Sequence, residues 1–290
     1  MKILVIGGNG FLGTAIVNSL SAAGHEIVLI GRKSNNQSEH TFFKIDFFQE
    51  EVSTKLLESI EPEVVIQSAW ITTQMNYRFS NQNTKYSRAT KNIMINCLLA
   101  EVPHFIGLGS CAEYGATNFS CNAATSPLIA HDSYSEEKIR TFESLTEISA
   151  NTELDFTWVR IFQPYGIGQD QSRFLPSLIR SSMNGEHLSI SQPNAISDWI
   201  SKTDVGDAIK FIVENRIVGA VDVGSGVGTS NTELIEMIAT LSGRAPNLRI
   251  NNLEGIPTGL VMNEFSRLKL LGWTNSQTLK YGIEELLSYE

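Results

Sequence analysis

A chain of 290 residues, 42% hydrophobic and 18% charged, is long enough to bury a core as one large domain or as a main domain with a smaller satellite. That composition excludes a disordered tail, a collagen-like repeat and a disulfide-stapled miniature. The 31 Asp and Glu outnumber 22 Lys and Arg for a formal charge of -9, so no broad basic footprint invites nucleic acid and small-molecule chemistry is favoured.

The first apolar run, residues 1–6, is too short for the core of a secretory signal and breaks into glycines, so it reads as a buried strand. Further strand-like runs follow at 26–30, 41–45, 64–67, 104–108 and 156–160, after a first strand at 3–6. Between them, helical patterns occupy 13–23, 52–60, 84–100 and 134–149. Repeated strand–helix alternation with short connections predicts a doubly wound α/β fold, a parallel sheet with helices on both faces. After Pro164-Tyr165-Gly166 the alternation becomes irregular, with Pro176, Pro193 and Pro257 among shorter elements and a brief strand at 220–223. The expected organisation is a cofactor-binding Rossmann domain over 1–165, rejoined by late sheet elements around 195–225, and a smaller substrate-binding domain over 166–290. No stretch approaches the roughly 20 apolar residues of a membrane helix. Three cysteines, Cys97, Cys111 and Cys121, lack paired C-x-x-C spacing and suit a reducing cytoplasm.

Gly7-Gly8-Asn9-Gly10-Phe11-Leu12-Gly13 follows the first strand and opens the first helix, the context a dinucleotide fingerprint requires. Gly7 permits the tight turn, Gly10 lets backbone approach a pyrophosphate, and Gly13 allows close helix packing. The competing reading is a glycine-rich turn that holds nothing. At the end of the second strand, Gly31-Arg32-Lys33 offers two cations and no carboxylate. Such a corner suits a 2'-phosphate, so NADP(H) is preferred and NAD(H) stays possible; the bland alternative is a pair of solvated loop charges. Asp46 can accept from an adenine amino group or act as an ordinary turn residue.

Tyr134 and Lys138 stand four residues apart on one helix face, and Ser110 follows the strand at 104–108 at the sheet edge where ligands of open parallel sheets bind. Phe42, Phe43, Phe47 and Phe48 read as core or an adenine rim, and the five histidines are scattered without metal spacing. No metal site is expected. Cys111, beside Ser110, has no triad-like histidine and reads as a pocket-lining residue.

With these features the chain resembles the extended short-chain dehydrogenase/reductases, specifically the NAD-dependent epimerase/dehydratase family that modifies nucleotide-linked sugars. Carrying the resemblance are the glycine fingerprint, Asp46, the Ser110 segment ending in Glu113-Tyr114-Gly115, Tyr134 with Lys138, and Arg160-Ile161-Phe162-Gln163-Pro164-Tyr165-Gly166. Ser197-Asp198-Trp199 with Asp204-Val205, Asp222-Val223-Gly224-Ser225-Gly226 and Leu271-Gly272-Trp273 complete it. The resemblance implies that Tyr134 exchanges a proton with the substrate oxygen, Ser110 hydrogen-bonds that oxygen, and Lys138 binds the nicotinamide ribose and biases the phenol toward ionisation. It also implies cofactor contacts from Gly7, Gly10, Phe11, Leu12, Gly13, Arg32, Lys33, Asp46, Phe47, Ser68, Ala69, Lys138 and Phe162. Substrate contacts would come from Trp70, Cys111, Ala112, Tyr134, Gln163, Phe174 and Trp199.

Departures from the family pattern narrow the reaction. Cys111 and Ala112 replace the Asp-Glu pair with which 4,6-dehydratases eliminate water, and bulky Trp70 stands where a small residue is usual. Ser197 replaces an arginine that would grip a diphosphate, for which Arg173 or Arg180 are candidate substitutes. The leading expectation is an NADPH-dependent reductase of a 4-keto nucleotide sugar; alternatives are a nucleotide-sugar epimerase and a cofactor-sensing protein that has lost turnover, although the loss of Tyr or Lys that marks the latter has not occurred. The resemblance further suggests a homodimer through helices 84–100 and 134–149, in which Ile93, Cys97 and Ala100 either meet a partner or face the sheet.

Overall fold

The computed structural model describes residues 1–33, 39–46, 48, 52–72, 76–115, 120–250, 259–262 and 266–289. Its first half alternates β1 (Lys2–Ile6), α1 (Phe11–Ala22), β2 (Glu26–Gly31), β3 (Thr41–Lys44), α2 (Thr54–Ile60), β4 (Val64–Gln67), α3 (Gln82–Leu99), β5 (His104–Ser110), a two-residue β6 (Ser120–Cys121), α4 (Ser133–Ser149) and β7 (Asp155–Ile161). All of these except β6, which sequence periodicity did not predict, match the expected elements with shifts of one or two residues at their ends, where capping decides. Ser53, for example, accepts from the Leu56 amide and starts α2 two residues later than periodicity suggests.

β11 (Gly219–Val223) completes a seven-stranded parallel sheet in the order β11-β7-β5-β4-β1-β2-β3. Along β1, Ile3 and Val5 enter the apolar cluster under α1 and α6 (Lys202–Glu214), while Leu4 and Ile6 enter the cluster under α2, α3 and α4. Alternate side chains of one apolar strand thus feed two cores, which makes the sheet doubly wound. Because β2 and β4 flank β1 on opposite sides, the chain reverses direction there and leaves a crevice beyond the carboxyl ends of β1 and β4.

The remaining elements are β8 (Gln163–Tyr165), α5 (Phe174–Asn184), β9 (Leu188–Ile190), β10 (Ile196–Ser201), β12 (Gly228–Ser230), α7 (Asn231–Ser242), β13 (Leu248–Ile250), β14 (Gly259–Met262), α8 (Arg267–Leu270) and α9 (Leu279–Tyr289). A small sheet in the order β12-β10-β14-β6, with β8 also on β10, lies beside a cluster in which Leu175, Leu178, Trp199, Leu234, Ile238 and Ile283 are buried. The aspartates of the late motifs fasten its loops. Asp198 accepts from the amides of Ser225, Gly226 and Met262 and from the Ser225 hydroxyl, and Asp204 from the amides of Ser276 and Gln277 and from the Ser276 hydroxyl. Among the described residues, no helix is long and apolar enough to cross a membrane.

On α3, Ile93 and Cys97 lie in the cluster beneath the sheet and Ala100 packs against it, so of the two roles considered for that stripe the structure gives it the sheet. The exposed stripe of α3 runs through Arg88, Asn92, Ile95 and Leu99.

At the amino end of β5, buried His104 makes a 2.8 Å hydrogen bond with Thr157, whose hydroxyl donates to the Ile217 carbonyl. The Thr157 proton is thereby committed, so the ring nitrogen is the donor to Thr157. Burial lowers the His104 pKa to about 4 from its ordinary 6.5. The folded state resists a proton that the unfolded chain accepts, so this stabilisation is complete above pH 6.5 and is lost as the pH falls toward 4. Urea titrations are expected to show stability falling across that window by up to about 3 kcal/mol, with His104→Gln flattening the fall.

Candidate active site

The turn after β1 is built for close backbone approach. Gly7 has φ +83°, and a Cβ there would sit 2.9 Å from the Ala69 backbone; a Cβ on Gly13 would collide with the Gly7 carbonyl and the Gly8 backbone. The Gly7 amide bonds the Ile30 carbonyl and Gly10 bonds back to Gly7. Gly10 is the N-cap of α1 and offers no side-chain cap, so the first amides of α1, from Phe11, Leu12 and Gly13, face the crevice without a competing side chain. Across it, Ser68 is held by its amide and hydroxyl on the Ile6 carbonyl. A backbone cradle with no Cβ, next to uncapped amides at a helix N-terminus, fits a dinucleotide pyrophosphate.

At the far end of the crevice, Arg32 and Lys33 are exposed. Burial raises the pKa of the Tyr86 phenol, with Arg32 opposing and Asp46 reinforcing the shift, which gathers these residues at one corner. Asp46 accepts from the Phe48 amide at 3.2 Å as a turn residue does, and Phe48 meets Tyr86 edge-on at 4.6 Å. Phe47 lies outside the described residues.

Ser110, Tyr134 and Lys138 come together at the other end. Ser110 ends β5 and N-caps the single helical turn Cys111–Tyr114, its oxygen accepting from the Ala112 amide. That leaves the Ser110 proton free to donate, and Ser110 opposes part of the rise that burial imposes on the Tyr134 phenol. Tyr134 occupies the first turn of α4, which a capping box of Asp132 and Ser135 starts. One turn on, the Lys138 ammonium donates to the Leu108 carbonyl at 2.6 Å. Both functional groups are buried. Burial is the largest influence on each: it raises the Tyr134 pKa, with Tyr77 adding to the rise and Ser110 opposing it, and it lowers Lys138 to about 7. Burial thus dominates the Tyr134 phenol, and Lys138 is not among the groups that shift it here.

Behind Ser110, Glu113 accepts from the Ser110 amide at 2.8 Å, from Arg160 Nε at 2.6 Å and from the Trp158 indole at 3.0 Å. Both Glu113 and Arg160 are almost fully buried. Glu113 thus points away from the catalytic side and cannot act as an acid or base on a ligand beside Tyr134. The neighbouring Tyr114 phenol donates to Asp222 at 2.6 Å, and burial raises Asp222 to about 7.

The remaining expected site residues divide. Trp70 packs at the site itself: its ring lies 6.4 Å from that of Tyr134 and 5.6 Å from that of Tyr86. Cys111 and Phe162 are buried in a small cluster with Tyr114, Cys121 and Met262. Ala112 is buried beside Cys111. Gln163 pairs with Trp199 across β8 and β10. Trp199 and Phe174 stack at 6.5 Å in the cluster beside the small sheet, and the Trp199 indole nitrogen is buried without a partner among the described residues. Of the candidate diphosphate cations, Arg180 turns outward to Glu186 and Gln171. Arg173 instead reaches toward Tyr134: it donates to the Tyr77 hydroxyl at 2.9 Å and the Thr72 carbonyl at 2.6 Å.

Sequence reasoning missed Tyr77, whose ring meets Tyr134 edge-on at 5.1 Å, and Asn83. The Asn83 amide, fully buried, accepts from the Trp70 indole at 2.9 Å and donates to the carbonyls of Tyr77 and Ser80. A lone asparagine at the start of a helix carries no sequence signal that distinguishes this brace from an ordinary surface residue.

Fold and site together define a short-chain dehydrogenase/reductase architecture: a doubly wound sheet, a glycine cradle at its switch point, and a Ser-Tyr-Lys group at its carboxyl edge. The NAD dependent epimerase/dehydratase family model matches residues 3–224, and the chain belongs to that family. Over 99% of its length it is 22% identical to UDP-glucose 4-epimerase of Bacillus subtilis (strain 168), covering 94% of that protein. It is 23% identical to dTDP-6-deoxy-L-talose 4-dehydrogenase (NAD(P)(+)) of Kitasatospora kifunensis, over 98% of this chain and 94% of the relative. Among solved structures, MoeE5 in complex with UDP-glucose and NAD superposes with TM-score 0.86 at 22% identity, covering 100% of this chain and 98% of that one. That likeness is of fold.

Proposed function

We propose that this chain is an oxidoreductase of a nucleotide-linked sugar, with Ser110, Tyr134 and Lys138 around the reacting carbon–oxygen bond. The observation that carries the reading is the meeting of these three side chains at the carboxyl edge of β5, at the other end of the crevice from the glycine cradle. In this reading Gly7, Gly10, Phe11, Leu12 and Gly13 hold a pyrophosphate, Ser68 and Ala69 line the crevice, and Arg32, Lys33 and Asp46 meet the adenosine. A bound nicotinamide supplies the hydride chemistry. Tyr134 passes its phenolic proton to the substrate oxygen in the reductive direction and recovers it in the oxidative one, while Ser110 donates a hydrogen bond to the same oxygen. Residues 1–165, with 195–225, serve as the cofactor domain and 166–290 as the sugar side.

Relatives weight the reaction toward 4-epimerisation, since a UDP-glucose 4-epimerase matches nearly the whole chain. Net reduction of a 4-keto sugar is the second reading. Two observations favour it: Trp70 packs at the site beside Tyr134, and a sugar 4-dehydrogenase is also among the relatives. A panel of UDP- and dTDP-linked sugars and freshly generated 4-keto sugars tests both. Stoichiometric loss of NAD(P)H absorbance supports the reductase, interconversion without net absorbance change supports the epimerase, and neither on any sugar rejects the assignment. NAD is the family's cofactor; the exposed Arg32 and Lys33 lead us to propose that NADP(H) is also accepted. Arg32→Ala is expected to weaken NADPH binding about 10-fold, with NADH little changed, by calorimetric titration. The homodimer expected from the resemblance is tested by sedimentation at micromolar concentration.

A further inference from the structure

Among the described residues the Lys138 ammonium makes one hydrogen bond, to the Leu108 carbonyl, and its other near neighbour is an aromatic face. Its Nζ stands 3.7 Å from the centroid of Trp70, against 5.6 Å for Trp158 and 5.8 Å for Tyr134. A cation at that distance over an indole is attracted by the negative face of the ring, most strongly where water is excluded. The indole is fixed from behind: its N–H donates to Asn83, which is itself tied to the Tyr77 and Ser80 carbonyls, and its ring stacks on Tyr86. An indole pinned at its nitrogen presents its face in one orientation only.

We infer that Trp70 is a positioning residue for Lys138, its braced indole face holding the ammonium in place and charged beside Tyr134. This assignment rests on the oxidoreductase reading for its catalytic consequence but not for the contact itself. It also differs from a role for Trp70 as a wall against the sugar, because a wall acts on substrate and a cation platform acts on the lysine.

The groups around the ammonium define what else bears on its charge. From the turn after β5 comes Glu113, itself paired to Arg160 of β7; from its own helix, Tyr134. Glu113 supports the lysine's charge while burial opposes it. Trp70 adds support with no charge of its own, which lets it sit against the site without repelling an anionic ligand.

The test is a titration of the enzyme carrying [13Cε]-lysine, with the Lys138 signal assigned by its loss in Lys138→Arg. Trp70→Leu, which keeps an apolar neighbour but removes the π face, is expected to lower the Lys138 midpoint by about one pH unit, and Trp70→Phe by much less. Fluorotryptophan incorporation, which weakens the face and preserves its shape, is expected to move the midpoint in the same direction and reports even if the leucine variant does not fold. In steady-state kinetics the alkaline limb of kcat for Trp70→Leu is expected to shift with the midpoint. An unchanged or raised midpoint overturns the inference, as does a rise in sugar KM with kcat and its pH profile unaltered, which marks Trp70 as a substrate wall. Failure of the wild-type enzyme on every sugar tested would reject the proposed reaction and leave the titration result standing.

Discussion

Tyr134→Phe is expected to lower turnover by about 10²- to 10⁴-fold while cofactor affinity changes less than about 3-fold. The substitution removes one buried oxygen and keeps the ring, so the edge-on contacts with Trp70 and Tyr77 survive. The lost group is the proton carrier. Ser110 cannot take its place, because a hydroxyl that accepts from the Ala112 amide and caps a turn has no basic partner to restore its proton. Rapid-mixing measurements of a single turnover, together with a direct binding titration, separate the two effects. Turnover within 3-fold of wild type would remove Tyr134 from the proposed role, and a parallel collapse of cofactor binding would show that the phenol supports the crevice rather than the reaction.

Glu113→Ala is expected to cost about 3–5 kcal/mol of stability, the range for breaking a buried ion pair from one side. Arg160 would be left charged at 1% exposure, with its Nη2 already lacking a partner among the described residues. The Trp158 indole and the Ser110 amide would lose their acceptor in the same stroke. Two consequences are separable. Chemical denaturation reads the stability, and because Glu113 also supports the charge on Lys138, the lysine midpoint should fall in any folded fraction. A loss below about 1 kcal/mol would mean that Arg160 re-pairs, with Asp222 the nearest carboxylate in its network, bonded to the same Tyr114 ring that Arg160 faces.

The glycine turn, the seven-stranded sheet and the Ser-Tyr-Lys group were all legible along the chain, because each depends on local rules. A strand buried on both faces is a continuous apolar run, a backbone cradle needs residues without Cβ, and two side chains on one helix face stand four apart. Even the late aspartates were marked as motifs, although their task of fastening loops to β10 and α6 had no sequence signature.

Tertiary packing decided the rest, because the deciding partners are far apart in sequence. Glu113 was marked only as part of the Ser110 segment; its pairing with Arg160, 47 residues on, needed the fold. Arg173 and Arg180 were equivalent as cations until one met Tyr77, 96 residues away, and the other paired with Glu186 and Gln171. The state of Tyr134 and Lys138 followed the same logic: their spacing is local, but their charge is set by how completely the surrounding elements exclude water. Trp70 shows the division most directly, since its bulk was visible in the sequence while the direction of its face required Asn83 to meet the edge and Lys138 the face of one ring.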